Sequence, residues 1–456
     1  MSELQLTTLT LPAADLGMEN PLAPLAPPGD AHAQMRFGDG IPDEIRRQAG
    51  YGRHRGCLPY RVQDGYNRDR KSRALRVAVL QNGHLRATFL LDYGGRMASL
   101  VHLPSGRELL AANPVFQPAN LAIRNAWFSG GVEWNIGVIG HSPFTCAPLH
   151  AERLTAPGGM PVLRLREWER IRQTPFQLDI WLPDQSPFLC VRVTIRNPHD
   201  REVPMYWWSN IAVPETPGGR VLVPAGHAFR FDYTGIMDRI PVPHWKGMDI
   251  SYPQQIDRSA DFFFDLAEGQ RPWIAALDAD GRGLVQTSTP RLRGRKLFVW
   301  GMAPGGRRWQ TFLAEPGQAY AEIQAGLART QMECIPMPAR AVWHWTEAYG
   351  LMALPPDEIH GVEWEKAWRR VDRQLDATLP VAEMERHAAV GDTLAALPAA
   401  TRLHTGSGWG GLDVRRRRRT TELGGMFADA FAADPLGPDQ TPWLQLLEEG
   451  TFPAPP

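Results

Sequence analysis

From Ala74 the chain alternates apolar and polar residues in short runs closed by turn residues, and this rhythm limits the fold more than any other feature. In LRVAVLQNGHLRATFLLDYGGRMASLVHLPSGRELL the breaks fall at Asn82-Gly83, Gly94-Gly95 and Pro104-Ser105-Gly106. Period-two alternation is the signature of a half-buried strand, and tight turns of this kind join antiparallel neighbours. The pattern recurs in PVLRLREWERIR, FQLDIWLP, PFLCVRVTIRNP, VPMYWWSNIAVP, KLFVWGM, WQTFLAEPGQAYAEIQAGLA and AVWHWTEAYG with no helical stretch between them. A parallel α/β sheet needs crossover helices, so the expected class is mainly β, an antiparallel sandwich. The 43 glycines and 41 prolines fall between these runs instead of forming one tract, as turn punctuation should.

A chain of 456 residues exceeds one ordinary core, and a single large domain with smaller flanks accommodates it. Residues 1–72 read as an arm, with PLAPLAPP near its start and a candidate edge strand in TLTLPA, residues 8–13. Residues 73–356 read as the sandwich, and 357–456 as a helical appendage and tail packed on it. Within the latter, DEIHGVEWEKAWRRVDRQLDATL and PVAEMERHAAVGDTLAAL carry apolar residues at three- and four-residue spacing.

Lysine plus arginine equals aspartate plus glutamate, 49 against 49, so nothing in the overall charge attracts nucleic acid or an anionic membrane. The run Arg415 to Arg419 is expected to end a solvated helix or strand. No apolar stretch reaches the length of a bilayer crossing, and the N-terminus lacks a secretory pattern, so the expected location is the cytoplasm. Cys57, Cys146, Cys190 and Cys334 lie far apart in no metal-ligand spacing and should pack as reduced apolar groups. Neither a metal nor another cofactor is expected. Phosphate-cradling, dinucleotide, zinc-protease and serine-hydrolase motifs are absent from the sequence.

Three clusters combine carboxylates, amides and indoles, the side chains that bond sugar hydroxyls and stack on sugar rings. The densest is NLAIRNAWFSGGVEWNIGVIGHSPFT, with Asn125, Trp127, Glu133, Trp134, Asn135 and His141 among glycines. MYWWSNIAVPETP offers Trp208, Asn210 and Glu215, and AYAEIQAGLARTQMECIPMPARAVWHWTEAYG offers Glu322, Gln324, Arg329, Trp345 and Glu347. Arg96 follows the Gly94-Gly95 turn, and Glu169 stands two residues from Glu167 on a presumed strand.

Glycoside hydrolysis needs two carboxyl groups about 5 to 5.5 Å apart when retaining and about 6.5 to 9.5 Å apart when inverting. The favoured reading is a carbohydrate-active enzyme cleaving a neutral oligosaccharide, with Glu133 and Glu322 as acid and base and Glu169, Glu215 and Glu347 in reserve. In that reading Trp127, Trp134, Trp208 and Trp345 stack on sugar rings, and Arg96, Asn125, Asn135, Asn210, Gln324 and Arg329 bond hydroxyls. A second reading is mutarotation or epimerisation, which needs one carboxylate and an acid, such as Glu322 with His141 or His244. A third is a sugar-binding module without catalysis; a homo-oligomer is left open.

NGHLRATFLLDYGGRMASLVHLPSGRELL resembles the opening strands of galactose-mutarotase-like domains. NPVFQPANLAIRNAWFSGGVEWNIGVIGHSPFT, YWWSNIAVPET and EIQAGLARTQ resemble a bacterial family described as a domain of unknown function, whose members often carry tetratricopeptide repeats downstream. The resemblance spans roughly residues 75–350 and implies a large antiparallel β-supersandwich of the kind found in aldose epimerases and several hydrolase and lyase families. In epimerases a glutamate on a late strand is the base and a histidine the acid, and the resemblance places Glu322 about where that glutamate stands. No helical repeat array follows in this chain, so a partner-binding role tied to such repeats is not expected.

Overall fold

The alternating segment at Lys71–Gln81 is the second strand of a long antiparallel sheet in the computed structural model, which describes residues 1–23, 35–54, 56–232, 234–398, 401–419 and 430–454. Its edge is Glu3–Ala13, paired along its whole length with Lys71–Gln81, so the edge strand foreseen at TLTLPA is present and begins earlier. From there the sheet runs through Leu85–Leu90, Arg96–His102, Val132–Ile136, Trp207–Pro214, Tyr320–Gly326, Gly294–Val299, Ala260–Leu266, Ala225–Phe231 and Ile236–Pro241. It ends on the two-residue strand Arg36–Phe37, which pairs in parallel with Ile236–Pro241 and keeps that edge short. Among the described residues this sheet has 13 strands, and a second sheet of nine strands faces it.

Alternation decides which side chains fill the space between the sheets. Val132, Trp134, Ile211, Ile323 and Leu297 point inward and meet Leu163, Leu165, Val191, Val193 and Trp345 of the second sheet. Each such aliphatic or aromatic side chain withdrawn from water contributes about 1.5 to 3 kcal/mol. Their sequence neighbours Glu133, Asn210, Glu322 and Lys296 therefore face outward on the large sheet, although all four are buried. All four cysteines are free and buried, as expected of small apolar groups.

Two helices match the expected periodicity at the C-terminal side. Trp364–Thr378 buries Trp364, Ala367, Val371 and Leu375, and Val381–Ala395 buries Met384, His387, Gly391 and Leu394. Both lie on the second sheet, and the Trp364 indole reaches the large sheet, donating to the carbonyl of Ala225. The arginine run ends the helix Trp409–Arg418; Arg417 is buried against Asp413 and the others are exposed. No described helix is long and apolar enough to cross a membrane. Part of PLAPLAPP, residues 24–28, lies outside the described residues.

The structure corrects one strand assignment. WQTFL does not continue the sheet rhythm but belongs to the helix Pro304–Leu313, which Pro304 opens at its first position. Alternation over five residues is too short to separate a strand from a helix that buries one side, here through Gly306, Gln310 and Leu313.

Candidate active site

Four neighbouring strands bring polar groups onto the outer face of the large sheet. Asn210 is in register with Glu133 on one side and Gln324 on the other, and Gln324 is in register with Lys296. Two residues along, Ala212 pairs with Glu322 and Glu322 with Phe298. Glu133 and Glu322 thus share one face with a single strand between them, about 10 Å apart across the sheet at ordinary strand spacing.

Glu133 is tied down by three side chains. Its Oε1 lies 3.4 Å from the Arg96 guanidinium, and its Oε2 accepts the Trp127 indole N–H at 3.0 Å. The Nδ1 of His141 approaches the same Oε2 at 2.8 Å. Arg96 comes from the far neighbouring strand and also donates to the carbonyls of Phe128 and Gly130 and to Thr145. Gly131, at φ +68°, lets these backbones meet, because a Cβ there would stand 2.3 Å from the carbonyl oxygen of Met97.

Burial alone would raise the Glu133 carboxyl. The charges of His141 and Arg96 and the bond from His141 outweigh it and hold the group at about 2. An ionised carboxylate can only accept, so Nδ1 of His141 carries a proton and Nε2 is free to face a ligand. The His141 side chain is 21% exposed against 5% for Glu133, so the imidazole is the accessible member of the pair. Asn135 fixes its loop by accepting the backbone N–H of Ser142 at 2.6 Å.

Glu322 has the opposite character. Burial dominates and raises its carboxyl, against the pull of His141 and Lys296 and the bond from Gln324 at 2.6 Å. Gln331 donates to Gln324 at 2.5 Å and accepts from Lys296, which pairs with Asp261 at 2.7 Å. Asn210 presents a buried Oδ1 without a protein partner. Such an acceptor calls for a donor. Trp127, Ala212, Tyr320 and Trp300, with Phe298, make an apolar wall beside these groups.

Arg96, Trp127, Glu133, Asn135, His141, Asn210, Glu322 and Gln324 therefore converge, while the other expected site residues do not. Trp134 points between the sheets with its N–H on the carbonyl of Gly95, as its place next to Glu133 in a strand requires. Trp345 is also inside, donating to Glu347, and Glu347 accepts further bonds from Ser209, Gln286 and Tyr349 in a buried network. Trp208 lies on the outer face but is fully covered by a cluster that includes Ile41 and Ile45 of the arm. Trp127 is itself buried, so none of the four indoles expected to stack on sugar offers an open face.

Glu169 accepts from the Tyr60 hydroxyl and from the backbone N–H groups of Ile171 and Arg172, closing a turn of the second sheet. Glu167 holds Ser407 in the same structural manner. Glu215 is clamped by Arg307, Arg329 pairs with Asp265, and Asn125 occupies a left-handed turn position at φ 77°. His244 is exposed in a separate two-stranded hairpin.

A cavity of about 790 Å³ lies elsewhere, lined by Arg271, Arg293 and Arg329, each paired with an acid, and by neither Glu133 nor Glu322. Sequence reasoning missed Lys296, Asp261, Phe298 and Trp300. Their signal was strand parity opposite Glu322, which needs the register to be known. No three His, Cys, Asp or Glu side chains group as metal ligands among the described residues.

A family model described as a domain of unknown function, DUF5107, matches residues 53–338. A TPR-domain containing protein from Parabacteroides distasonis has a similar structure, with a TM-score of 0.64 at 20% identity over 98% of this chain and 81% of that one. Galactose mutarotase-like proteins from Clostridium acetobutylicum and Lactobacillus casei give TM-scores of 0.45 and 0.43 at 10% and 8% identity. They match 61% and 60% of this chain and 96% and 99% of their own.

Proposed function

The chain belongs to the DUF5107 family, and we propose that it is a carbohydrate-active enzyme that moves protons on a neutral sugar, with His141 and Glu322 as the two groups facing the substrate. The observation that carries this reading is the 2.8 Å contact between His141 and an ionised Glu133, on the sheet face that also holds the raised carboxyl of Glu322. Glu133 is a positioning residue here. It orients the imidazole and stabilises its charge when Nε2 is protonated, as a buried acid does behind a catalytic histidine.

The reaction this supports best is exchange of anomers. Glu322 takes the proton of the anomeric hydroxyl, the bond from the anomeric carbon to the ring oxygen breaks as the carbonyl forms, and His141 gives its proton to that ring oxygen. Rotation and ring closure by the reverse transfers yield the other anomer. A raised carboxyl is the stronger base once ionised. Each cation on this face has an acidic partner, Arg96 with Glu133 and Lys296 with Asp261, which suits a neutral substrate.

Hydrolysis of a neutral oligosaccharide is the second reading, favoured by the split between the two carboxyls: Glu322 would be the acid and Glu133 the base toward water. A full strand lies between Glu133 and Glu322, a spacing across the sheet wider than a retaining pair's, which favours the inverting outcome. Following anomer exchange and reducing ends together by NMR tests both. Faster exchange with no new reducing ends supports the first reading, new reducing ends the second, and unchanged sugar spectra contradict both.

A further inference from the structure

Aromatic rings continue outward from Glu322 beyond the wall of the site. Phe298, its register partner, meets Trp300 edge-on at 5.0 Å, and Trp300 stacks on Trp309 at 5.4 Å and 19°. Phe312 then meets Trp309 edge-on at 5.7 Å. Exposure rises along this row, from 7% at Trp300 to 38% at Trp309 and 42% at Phe312. Large aromatic side chains left open to water in a contiguous row mark a binding surface more often than a packing accident.

The helix Pro304–Leu313 that carries the outer two rings is firmly seated. Arg307 grips both carboxylate oxygens of Glu215 at 2.7 and 3.1 Å, and the Gln310 amide exchanges hydrogen bonds with the backbone of Tyr320, two residues before Glu322. Gly306 allows the helix to press on the preceding chain, since a Cβ there would stand 2.2 Å from the carbonyl oxygen of Gly301. Trp309 and Phe312, three residues apart, then share one helix side, and Arg68 caps the Phe312 ring at 3.8 Å. A platform fixed in this way costs little ordering entropy when it binds.

We propose that Trp309 and Phe312, backed by Trp300, form an outer subsite that stacks a further ring of a neutral glycan whose reacting end lies at His141 and Glu322. The inference rests on the sugar reading of that site and deepens it: the ligand is an oligosaccharide, and this surface reads its length. A ring face recognises the C–H face of a pyranose by burial and dispersion and leaves the hydroxyls in water, so it senses ring number more than sugar identity.

The test uses the full chain and a panel of neutral mono- to tetrasaccharides of glucose, galactose, mannose and xylose, with binding followed by calorimetry. Wild type should gain about tenfold in affinity between a monosaccharide and its best trisaccharide. Trp309→Ala should remove that gain and keep the monosaccharide affinity within about twofold, while the ring-preserving Trp309→Phe should retain most of it. Affinity independent of length in wild type, or a gain that survives in Trp309→Ala, overturns the subsite alone. A length gain lost in Trp309→Ala, together with full turnover in Glu322→Gln and His141→Asn, overturns the acid–base reading and leaves the subsite standing. Wild type that binds no sugar of the panel sinks both.

Discussion

Replacing Glu133 and replacing Glu322 should move stability in opposite directions, because their environments hold the proton differently. The Glu133 carboxyl is depressed to about 2, so its contribution is present above the ordinary carboxylate range near 4.5 and is lost as pH falls through about 2. Glu133→Gln leaves buried Arg96 without its ionic partner and should cost about 3 kcal/mol or more at pH 7, read by urea unfolding. Glu322 is raised by burial, so its contribution is favourable below the ordinary range and is lost as pH rises through its folded value. Glu322→Gln should therefore raise the melting temperature at neutral pH while cutting turnover by about 100-fold or more and preserving sugar binding. A variant that is both less stable and fully active would contradict this assignment. His141→Asn, which keeps a donor toward Glu133 but no transferable proton, should lose turnover with little change in binding.

At the level of elements, the arm covers part of the outer face of the large sheet. The helix Asp43–Gln48 places Ile45 on the cluster that covers Trp208, and Ile45→Ala should cost about 2 to 5 kcal/mol. A red shift of tryptophan emission on that substitution would show Trp208 uncovered; emission unchanged from wild type would show that the arm does not seal it. Glu133 and Asn135 fall on one strand side and Trp134 on the other, so parity within Val132–Ile136 already excludes Trp134 from the site. Parity could not reveal that Trp208 is covered, because the cover is assembled from separate stretches of the chain, Ile41 and Ile45 of the arm with Phe229, Phe263 and Met332. Nor could it show that WQTFL is helical, since the bonds that seat this helix run from Arg307 to Glu215 and from Gln310 to Tyr320.

For the whole molecule, the antiparallel sandwich was legible because strand alternation and turn residues are local signals, repeated until few folds remain. Convergence of Glu133 with Glu322 was legible only as an expectation, because strand order places Val132–Ile136 and Tyr320–Gly326 on either side of Trp207–Pro214 and no local pattern encodes that order. Glu322, His141, the paired cations and the aromatic row all lie on or beside the outer face of one sheet, so a single assay reaches them together. That assay is exchange NMR between the anomers of neutral reducing sugars in the presence of the protein. Exchange should be faster than in buffer with wild type and equal to buffer with Glu322→Gln and with His141→Asn. Exchange accelerated equally by wild type and by both variants would contradict the acid–base assignment.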